Sequence, residues 1–592
     1  MKVVQGLGLE VQGGQSRSVT WLVSTSVVLL ILAASISSGA TLEERVTETS
    51  CKSLSLPAWS PAEREAWLRN CLGQPADFRA RSEANRQISA RFLRTILLES
   101  PWRDVIPFYG VRIIGAIVTG ELNLDFGVLK GPLQLDHCEF RSKISMLGTT
   151  VPKQFSMVGS HFHGPLELER LEVLGPAFLR GIKTESTFSL FNARTQDALD
   201  LGGAEFASDA KLIGVVTTGF LDLRGVRAEG VNLQQAKVGR SLELAGARFA
   251  GPLTLTSIKV TGDVLVHSVV AESGLDARYA QFGELLQILD TEIEGDLILY
   301  GVSTGSHLQL ADSKVSGSVD LQESRVGGRL HIHNSHTGAI DADGIDVVRD
   351  VDFSGSEIAS ATLVGARVGG ALRLADEKGA AVWIGTGELD LRYSRFGSVD
   401  VGDLGSWPRT YRLAGLTYQR LADSTSGSDA QAMQLNHLVQ WLNRAYYSPQ
   451  PYDQLADVLA DAGLLDDATD IRFEGRRRQI RDGTGSLLAK AGLVLLQYTV
   501  GFGYRSYYAA GWATLFVLCG WFVARRSQVG RQQGLGFFYS LDLFLPIVEL
   551  RKLHYEVELE TPARWYFYFH HILGFVVGTL LLAGLTVVRS GG

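Results

Sequence analysis

The sequence predicts a mainly β protein in which a parallel β-solenoid is followed by an α-helical region and two C-terminal transmembrane helices. Between residues 111 and 401, an apolar–polar–apolar triplet recurs every eleven residues. Alternation with a period of two is typical of a strand, so the repeat predicts short strands at a fixed spacing. Near the C-terminus, two apolar segments are each long enough to span a membrane.

The repeat is clearest at the second apolar residue of each triplet, which we call the anchor. All twenty anchors are apolar, whereas apolar residues make up 45% of the chain. One residue is missing from the spacing after the tenth anchor, and the register then resumes. The anchors are Leu124, Leu135, Met146, Met157, Leu168, Leu179, Leu190, Leu201, Leu212, Leu223, Leu233, Leu244, Leu255, Val266, Ala277, Ile288, Leu299, Leu310, Leu321 and Ile332.

An eleven-residue unit is too short for a helix and a strand, which excludes leucine-rich and helical repeats. A second apolar residue follows many anchors by five positions, as Phe249 follows Leu244, and glycine precedes many anchors by four, as Gly251 precedes Leu255. Glycine suits the tight turns that such short strands require. Two units, or about 22 residues, would close one four-sided coil, and the coils would stack as parallel strands about 4.8 Å apart.

This pattern resembles the pentapeptide-repeat family and related right-handed parallel β-helices. The resemblance rests on segments such as "GRSLELAGARF" (239–249), "GPLTLTSIKV" (251–260) and "GSVDLQESRV" (317–326), and it covers about half of the chain. It implies a right-handed parallel β-helix with a narrow, filled core. The inward residues are spaced five and six apart, which departs from a strict five-residue repeat.

The first forty residues predict a signal peptide or an N-terminal anchor. Lys2 and Arg17 precede an apolar run over residues 21–34, and Ser38 and Ala40 match the small-x-small cleavage pattern. An uncleaved anchor is the alternative, because the polar region before the run is long. In both cases the following residues are exported, so we expect a bacterial cell-envelope protein with its solenoid on the extracytoplasmic side of the inner membrane.

Residues 41–110 are predicted to form an N-terminal helical cap. Cys51 and Cys71 lie on either side of a short predicted helix. In an exported segment they are a candidate disulfide, and two unpaired thiols are the alternative. A second helix, within residues 79–100, is expected to cover the open end of the solenoid, because an exposed sheet edge invites pairing with another chain.

The β-helix repeat domain is predicted over residues 111–405 and an α-helical region over 406–483. Within the helical region, residues 448–479 resemble one tetratricopeptide-type hairpin, which is a peptide-docking unit in longer arrays. The resemblance covers a single copy. We therefore expect a packed pair of adaptor helices, with peptide docking as the alternative.

Residues 484–592 are predicted to form a membrane domain with spans at about 507–524 and 567–588. Three arginines follow the first span, and positive charge favours the cytoplasmic side, so the loop after this span is expected in the cytoplasm. These are Arg525, Arg526 and Arg531.

The two spans and the segment "GFFYSLDLFLPIVEL" (536–550) between them are loosely similar to a degenerate potassium-channel module. The resemblance implies a pore helix between two membrane helices. The threonine-valine-glycine-tyrosine-glycine filter is missing, and without its ring of carbonyls potassium selection has no mechanism. The residues in its place are Leu545, Pro546, Ile547 and Val548.

Three histidines are the metal candidates. His331 and His333 alternate with Leu330 and Ile332 and so share the outward face of one predicted strand, with His336 nearby. Imidazoles gathered on one face are typical of divalent metal sites. The alternative is that all three are solvated surface side chains.

Two further groups of ionisable residues are candidates for function. His570 and His571, near the start of the second span, are placed to reach Asp542 or Glu549. An acidic group is interpreted as a solvated loop, with calcium ligation or the carboxylates of a polysaccharide-cleaving β-helix as alternatives. Its members are Asp341, Asp343, Asp346, Asp350 and Asp352.

The composition excludes several classes of function. The net charge of −7 arises from mixed acidic and basic residues, which argues against a nucleic-acid partner. The sequence contains no Walker A or dinucleotide-binding glycine motif. No catalytic set or cofactor site is predicted.

We therefore expect a membrane-anchored envelope protein that presents its solenoid as a binding or scaffolding surface, without catalysis. The partner would be another protein or an envelope polymer, in addition to the membrane. Two alternatives stay open. One is a channel-like or signalling membrane protein with the solenoid as sensor, and the other is a glycan-active β-helix enzyme.

Overall fold

A computed structural model of the protein describes residues 42–377, 379–423, 428–429, 434–505, 507–545 and 549–589. The predicted signal segment, residues 1–40, lies outside the described residues. The chain divides into two compact units, Met1–Ser186 and Thr187–Gly592, which are described in turn.

The N-terminal unit begins with helices that carry the predicted cap. These are α1 (Leu42–Ser53), α2 (Pro61–Cys71), α3 (Ala90–Leu98) and α4 (Trp102–Val105), with a 3-10 turn at Glu83–Asn85. A disulfide joins Cys51 to Cys71, with 5.9 Å between their Cα atoms, and so links α1 to α2.

Helix α2 begins at a capping box formed by Ser60 and Glu63. The Glu63 carboxylate also accepts hydrogen bonds from the backbone and the hydroxyl of Ser89, the N-cap of α3. Helix α3 buries Phe92 and Ile96 and packs against the strand Leu122–Asn123. The helix expected within residues 79–100 therefore covers the first coil.

The rest of this unit is a parallel β-solenoid in which each strand pairs with its counterpart one coil away. Leu133 pairs with Phe155, and Phe155 pairs with Ala177. The period is visible in the hydrogen bond that Cys138 donates to Ser160, because these two residues are 22 residues apart.

The strands of this unit are short. They are Ala76–Asp77, Gln87–Ser89, Val111–Ile114, Ile117–Thr119, Leu122–Asn123, Leu133–Asp136, Glu139–Phe140, Ile144–Ser145, Thr150–Val151, Phe155–Ser156, His161–Phe162, Leu166–Glu167, Glu172–Val173, Ala177–Phe178 and Lys183–Thr184.

The solenoid begins earlier than the predicted residue 111. Ala76–Asp77 pairs with Ile113–Ile114, and Gln87–Ser89 pairs with Ile117–Thr119. These first strands lie at the edge of the sheets, where helices instead of another coil cover them. They therefore do not need the triplet that marks the inner coils.

The second unit continues the same kind of solenoid. Its regular strands are Phe188–Ser189, Arg194–Thr195, Leu199–Asp200, Glu205–Phe206, Ala210–Lys211, Val216–Thr217, Leu221–Asp222, Arg227–Ala228, Val231–Asn232, Lys237–Val238, Leu242–Glu243, Arg248–Phe249, Leu253–Thr254, Lys259–Val260, Val264–His267, Val270–Ala271, Leu275–Asp276, Gln281–Phe282, Leu286–Leu289, Glu292–Ile293, Leu297–Ile298, Ser303–Thr304, Leu308–Ala311, Lys314–Val315, Val319–Asp320, Arg325–Val326 and Leu330–His333.

The later strands are less regular. They are His336–Asp341, Asp346–Val347, Val351–Asp352, Glu357–Thr362, Arg367–Arg373, Ala375–Asp376, Gly379–Ala380, Val382–Asp390, Arg395–Asp400, Thr410–Arg412, Thr417–Asp423 and Ser428–Asp429. The register of Glu357–Thr362 against Val382–Asp390 shifts between Ile358 and Ser360, which pair with Trp383 and Glu388. The antiparallel pair Ala375–Asp376 and Gly379–Ala380 precedes Val382–Asp390 in the chain. Strands continue to Asp423, beyond the predicted end at 405, because the last coil is capped by helices.

The anchors form the core of both units, which confirms the parallel solenoid. None of the twenty is more than 2% exposed. The structure also shows where the repeat is one residue short. Ala228 pairs with Phe249 and Val231 pairs with Leu253, so the separation between paired residues in the first pair is one position shorter than in the second. The chain therefore loses one residue at the corner between Ala228 and Val231 without moving an anchor.

Three helices follow the last coil: α5 (Leu435–Arg444), α6 (Gln450–Asp461) and α7 (Leu465–Asp482). Two side chains of α6 satisfy backbone carbonyl groups at the start of the strand Thr417–Asp423. Gln450 donates to the carbonyl oxygen of Leu416 at 2.8 Å, and Gln454 donates to that of Tyr418 at 2.9 Å. Backbone groups that another coil would otherwise pair are thereby satisfied.

A buried arginine holds the three helices together. Arg478 on α7 donates to the carbonyl oxygens of Leu442 and Ala445 at the end of α5, and to the hydroxyl of Tyr452 on α6. Cations stabilise the C-terminal end of a helix, where carbonyl groups are unpaired. The predicted helical region is therefore confirmed as a packed group of helices.

The last helices are α8 (Leu487–Val500), α9 (Tyr507–Arg526), α10 (Gln528–Gln532), α11 (Phe537–Phe544) and α12 (Thr561–Arg589), with 3-10 turns at Gly501–Gly503 and Lys552–His554. In the described part of the chain, α9 alone has the length and composition of a membrane span. The second predicted span, 567–588, lies in α12 and stays a prediction, since the side chains from residue 580 onward are outside the described part. A two-span potassium-channel module is therefore unsupported.

The core register is tested by one matched pair of substitutions in the strand Leu308–Ala311. Leu310 is 1% exposed, whereas Gln309 points outward and accepts a hydrogen bond from Gln287. Leu310→Asp would bury an unpaired charge and is expected to lower the free energy of unfolding by about 3 kcal/mol or more. Gln309→Glu keeps the acceptor and should change it by less than about 0.5 kcal/mol.

The measurement is urea unfolding of the full chain followed by circular dichroism. Equal shifts of the two midpoints would contradict the register.

Candidate functional site

The structure separates the three predicted metal ligands. His331 and His333 do share the outward face of the strand Leu330–His333, as expected. His336 begins a different strand, on the other sheet of the coil. Its Nδ1 atom lies 2.8 Å from the Glu357 carboxylate, and Nδ1 of His333 lies 3.2 Å from the Ser354 hydroxyl. His333 and His336 therefore have separate partners, and the three histidines do not converge on one point.

His331 is half-buried between coils. It pairs in register with Gln309 on one side and Asp352 on the other. Burial lowers the pKa of His331, because the charged imidazolium is less well solvated there.

The predicted acidic group closes turns within the solenoid. Asp352 accepts hydrogen bonds from the backbone and the hydroxyl of Ser354, and Asp343 accepts one from the backbone of Val364 at 2.8 Å. Asp350 lies 3.1 Å from Arg329 and 3.3 Å from Arg373. Asp343 and Asp350 are therefore bound to neighbouring coils and Asp352 to its own turn, so these three carboxylates do not form a solvated loop.

A different cluster, in the N-terminal unit, brings two imidazoles and a carboxylate together. His161 and His163 flank the inward Phe162 and so project from the same face. Glu185 lies 22 residues after His163, which places it one coil further along. Its two oxygens lie 2.9 Å from Nε2 of His161 and 2.9 Å from Nδ1 of His163.

The Glu185 carboxylate and the His163 imidazole shift each other's pKa. Its hydrogen bond and negative charge raise the pKa of His163, and His163 in turn lowers the pKa of Glu185. The two imidazole rings are 4.3 Å apart. In the described part of the chain, this is the one group of three or more His, Cys, Asp or Glu side chains whose ligand atoms all lie within 4.8 Å of one another.

Other charges surround the cluster. Glu139 lies 3.4 Å from Nε2 of His163, and Arg141 pairs with both Glu139 and Glu83. Lys183 is in register with His161. The sequence contains a signal for this group, namely "HFH" with a glutamate one coil beyond the second histidine, but it becomes visible only after the coil period is known.

The helices after the solenoid contain a second polar centre, around Asp542 on α11. This carboxylate is inaccessible to solvent and accepts hydrogen bonds from the backbone of Leu550 at 2.7 Å and Arg551 at 3.0 Å. Nδ1 of His554 lies 2.8 Å from it. Asp542 therefore holds the segment after residue 549 against α11.

The two histidines expected to reach Asp542 contact other groups. Nε2 of His570 lies 3.1 Å from the carbonyl oxygen of Ser540, and Nδ1 of His571 lies 2.9 Å from that of Leu543. The prediction of an Asp542 contact is wrong for both, because these histidines face the backbone of α11 and not the carboxylate. His554, outside the predicted set, takes that position.

Helix α11 packs closely against both α9 and α12. A Cβ atom at Gly520 would lie 2.1 Å from the Ser540 hydroxyl, and one at Gly574 would lie 1.9 Å from the carbonyl oxygen of Phe544. The backbone contact requires glycine at position 574, whereas a larger residue at position 520 would displace the Ser540 side chain. An open cleft of about 820 Å³ lies beside this group, lined among others by Tyr539, His554, Arg564 and His571.

No known protein family matches this sequence, and neither a curated protein nor a solved structure matches it. The class of the protein therefore rests on its own geometry: a parallel β-solenoid in both units, followed by capping helices and a largely apolar helical module.

The role of Asp542 is tested by limited trypsin digestion. Asp542→Ala would leave the amides of Leu550 and Arg551 without their acceptor, which costs about 1–3 kcal/mol for each buried donor. We expect the segment to open and cleavage after Arg551 and Lys552 to accelerate. The matched control is Glu558→Ala, since Glu558 has a 90% exposed side chain. Cleavage rates that stay the same in both variants would contradict the role of Asp542.

Proposed function

We propose that the protein is a membrane-anchored envelope protein whose β-solenoid presents a binding or scaffolding surface. One observation carries the proposal. The coils hold outward side chains in columns at a fixed register, while Asp343, Asp350 and Asp352 of the predicted acidic group are bound by other groups of the solenoid. Such a surface suits recognition distributed over many side chains.

The columns are regular over much of the second unit. Lys237 is in register with Lys259 on one sheet, and Arg227 with Arg248 on the other. Neighbouring strands in a sheet are about 4.8 Å apart, so successive side chains in a column have nearly the spacing of groups on an extended polymer or strand. The backbone hydrogen bonds on both sides of each strand keep this surface rigid, which lowers the entropy lost on binding.

The apolar helical module supports a membrane anchor. Only 22% of the apolar stretch of α9 is buried within the protein, whereas the core helix of a soluble protein is mostly buried. Leu515, Leu518 and Phe522 on α9 are 43–57% exposed, and Phe569 and Ile572 on α12 are 58–63% exposed. An apolar surface of this extent requires an apolar surrounding. We infer that both α9 and α12 span the membrane.

The ends of these helices suit the membrane boundary. Arg526, at the end of α9, lies over the ring of Phe522 at 4.6 Å, so that its charge is at the helix end and its stem lies along apolar surface. At the start of α12, Trp565 and Tyr568 are exposed. Amphipathic aromatic side chains concentrate at the interface between lipid and water.

A second candidate function is signalling, with the solenoid as sensor. It is favoured by contacts between helix α7 and the residues just before helix α9. Arg505, just before α9, pairs with Asp470 on α7 at 2.8 Å and lies 4.2 Å over the ring of Phe473. Helix α7 is in turn fixed to α5 and α6 through Arg478. A displacement of the last coil would therefore reach the start of α9 through packed helices.

The orientation is tested with reporter fusions. An enzyme active only outside the cytoplasm should be active when fused after Val401 and silent when fused after Gln533, because the arginines after α9 favour the cytoplasm. A second reporter, active only in the cytoplasm, should give the opposite result at both sites. The reverse pattern would place the solenoid in the cytoplasm and contradict the proposal.

The binding surface is tested by photo-crosslinking in cells. A photoreactive residue is placed singly at Lys237, Lys259, Arg227 and Arg248, and at Asp457 on α6 as the control outside the solenoid. If recognition follows a column, both members of at least one pair should crosslink to the same product, and Asp457 should not.

Crosslinks from single isolated positions, or from Asp457 alone, would contradict a distributed surface.

Alanine at the crosslinking positions should then reduce the yield gradually, since a few anchors dominate and most contacts contribute about 1 kcal/mol or less. A catalytic residue would behave differently, because its loss typically lowers a rate by about a hundredfold or more.

A further inference from the structure

We propose that His161, His163 and Glu185 form a binding site for a divalent transition-metal ion of the Co²⁺, Ni²⁺ and Zn²⁺ class. This site lies within the N-terminal unit. It is independent of the proposed scaffold function, and its test does not require the partner.

Two features of the fold bring the ligands together. Alternation along the strand His161–Phe162 and into the next residue places both imidazoles outward, while Phe162 fills the core. The ring of Phe162 stacks on that of Phe140 at 4.9 Å, which fixes the strand between them. The coil period then carries Glu185 to the position above His163.

The distances suit a bound ion. The Glu185 oxygens are 2.9 Å from Nε2 of His161 and 2.9 Å from Nδ1 of His163. Metal–nitrogen and metal–oxygen bonds are about 2.1 Å, so ligand atoms on one ion are about 3–4 Å apart. The ligand atoms here lie within 4.8 Å of one another, and the exposed side chains need only a small rotation to close on an ion.

The donor types select the class of ion. Imidazole nitrogens together with a carboxylate suit Zn²⁺, Co²⁺ and Ni²⁺, whereas Ca²⁺ and Mg²⁺ require oxygen ligands. Because the cluster is open to solvent, water would complete the coordination. Glu139, 3.4 Å from the other nitrogen of His163, would orient that imidazole as a hydrogen-bond acceptor.

The alternative role of this cluster is a ladder of surface ion pairs. Arg141 and Lys183 lie beside it, and Arg141 is already paired with Glu83 and Glu139. The pair His336–Glu357 supplies a matched control, because one imidazole and one carboxylate there lie 2.8 Å apart across neighbouring coils. That pair has the same ladder geometry without the second imidazole.

The experiment is a titration of the purified full-length chain, carrying no polyhistidine tag, with Co²⁺. Calorimetry gives the affinity and stoichiometry, and visible absorption reports imidazole coordination. We expect the original protein and His336→Ala each to bind one equivalent of Co²⁺. The double variant His161→Ala/His163→Ala should not bind this equivalent. Glu185→Gln, which keeps the side-chain shape, should lower the affinity for Co²⁺ at least about tenfold.

The folding of the variants is followed in the same samples by thermal unfolding in the presence of EDTA. All variants should unfold like the original protein, because the substituted side chains project outward. Added Zn²⁺ should then raise the unfolding midpoint of the original protein and of His336→Ala but not of the double variant, since an ion that binds only the folded state stabilises it.

Unchanged Co²⁺ binding in both the double variant and Glu185→Gln would overturn the proposal. An equal loss in His336→Ala would also overturn it, because it would show that a single ladder pair accounts for the binding. If the double variant has a lower unfolding midpoint than the original protein in EDTA, the Co²⁺ affinity of Glu185→Gln alone tests the proposal, and an unchanged affinity would overturn it.

Discussion

The hydrogen bonds between successive coils are the constraint on which the rest of the structure depends. Each strand is short, and no strand of that length is stable by itself. Pairing between neighbouring coils joins each strand to one before and one after it, as Leu221 pairs with Leu242 and Leu242 with Val264. The inward anchors fill the coil, and the outward side chains necessarily form columns.

Most of the solenoid could be predicted because its pattern recurs in every eleven-residue unit. The triplet and the missing residue after Leu223 both have counterparts in the structure. The two ends could not be predicted in the same way. Ala76–Asp77 and Thr417–Asp423 each pair with a coil on one side only, so no repeated pattern is required of them.

The ionisable residues show why sites were harder to predict than the fold. His331, His333 and His336 are neighbours in the sequence, but the chain turns onto another sheet before His336. Asp343, Asp350 and Asp352 are close together along the chain, yet each is held by a turn or a neighbouring coil. His161, His163 and Glu185 are brought together by stacking, so that proximity along the chain is a poor guide to proximity in space.

The coil period also constrains how the gene can change in length. Insertion or removal of two repeat units adds or deletes one whole coil and leaves every remaining column aligned. A change of one unit would preserve the apolar pattern but would exchange the two sheets, so that all later side chains would project from the other sheet of their coils. The loss of a single residue is absorbed at a corner, as between Ala228 and Val231. Duplication can therefore lengthen this solenoid in whole coils without changing the register of its outward side chains.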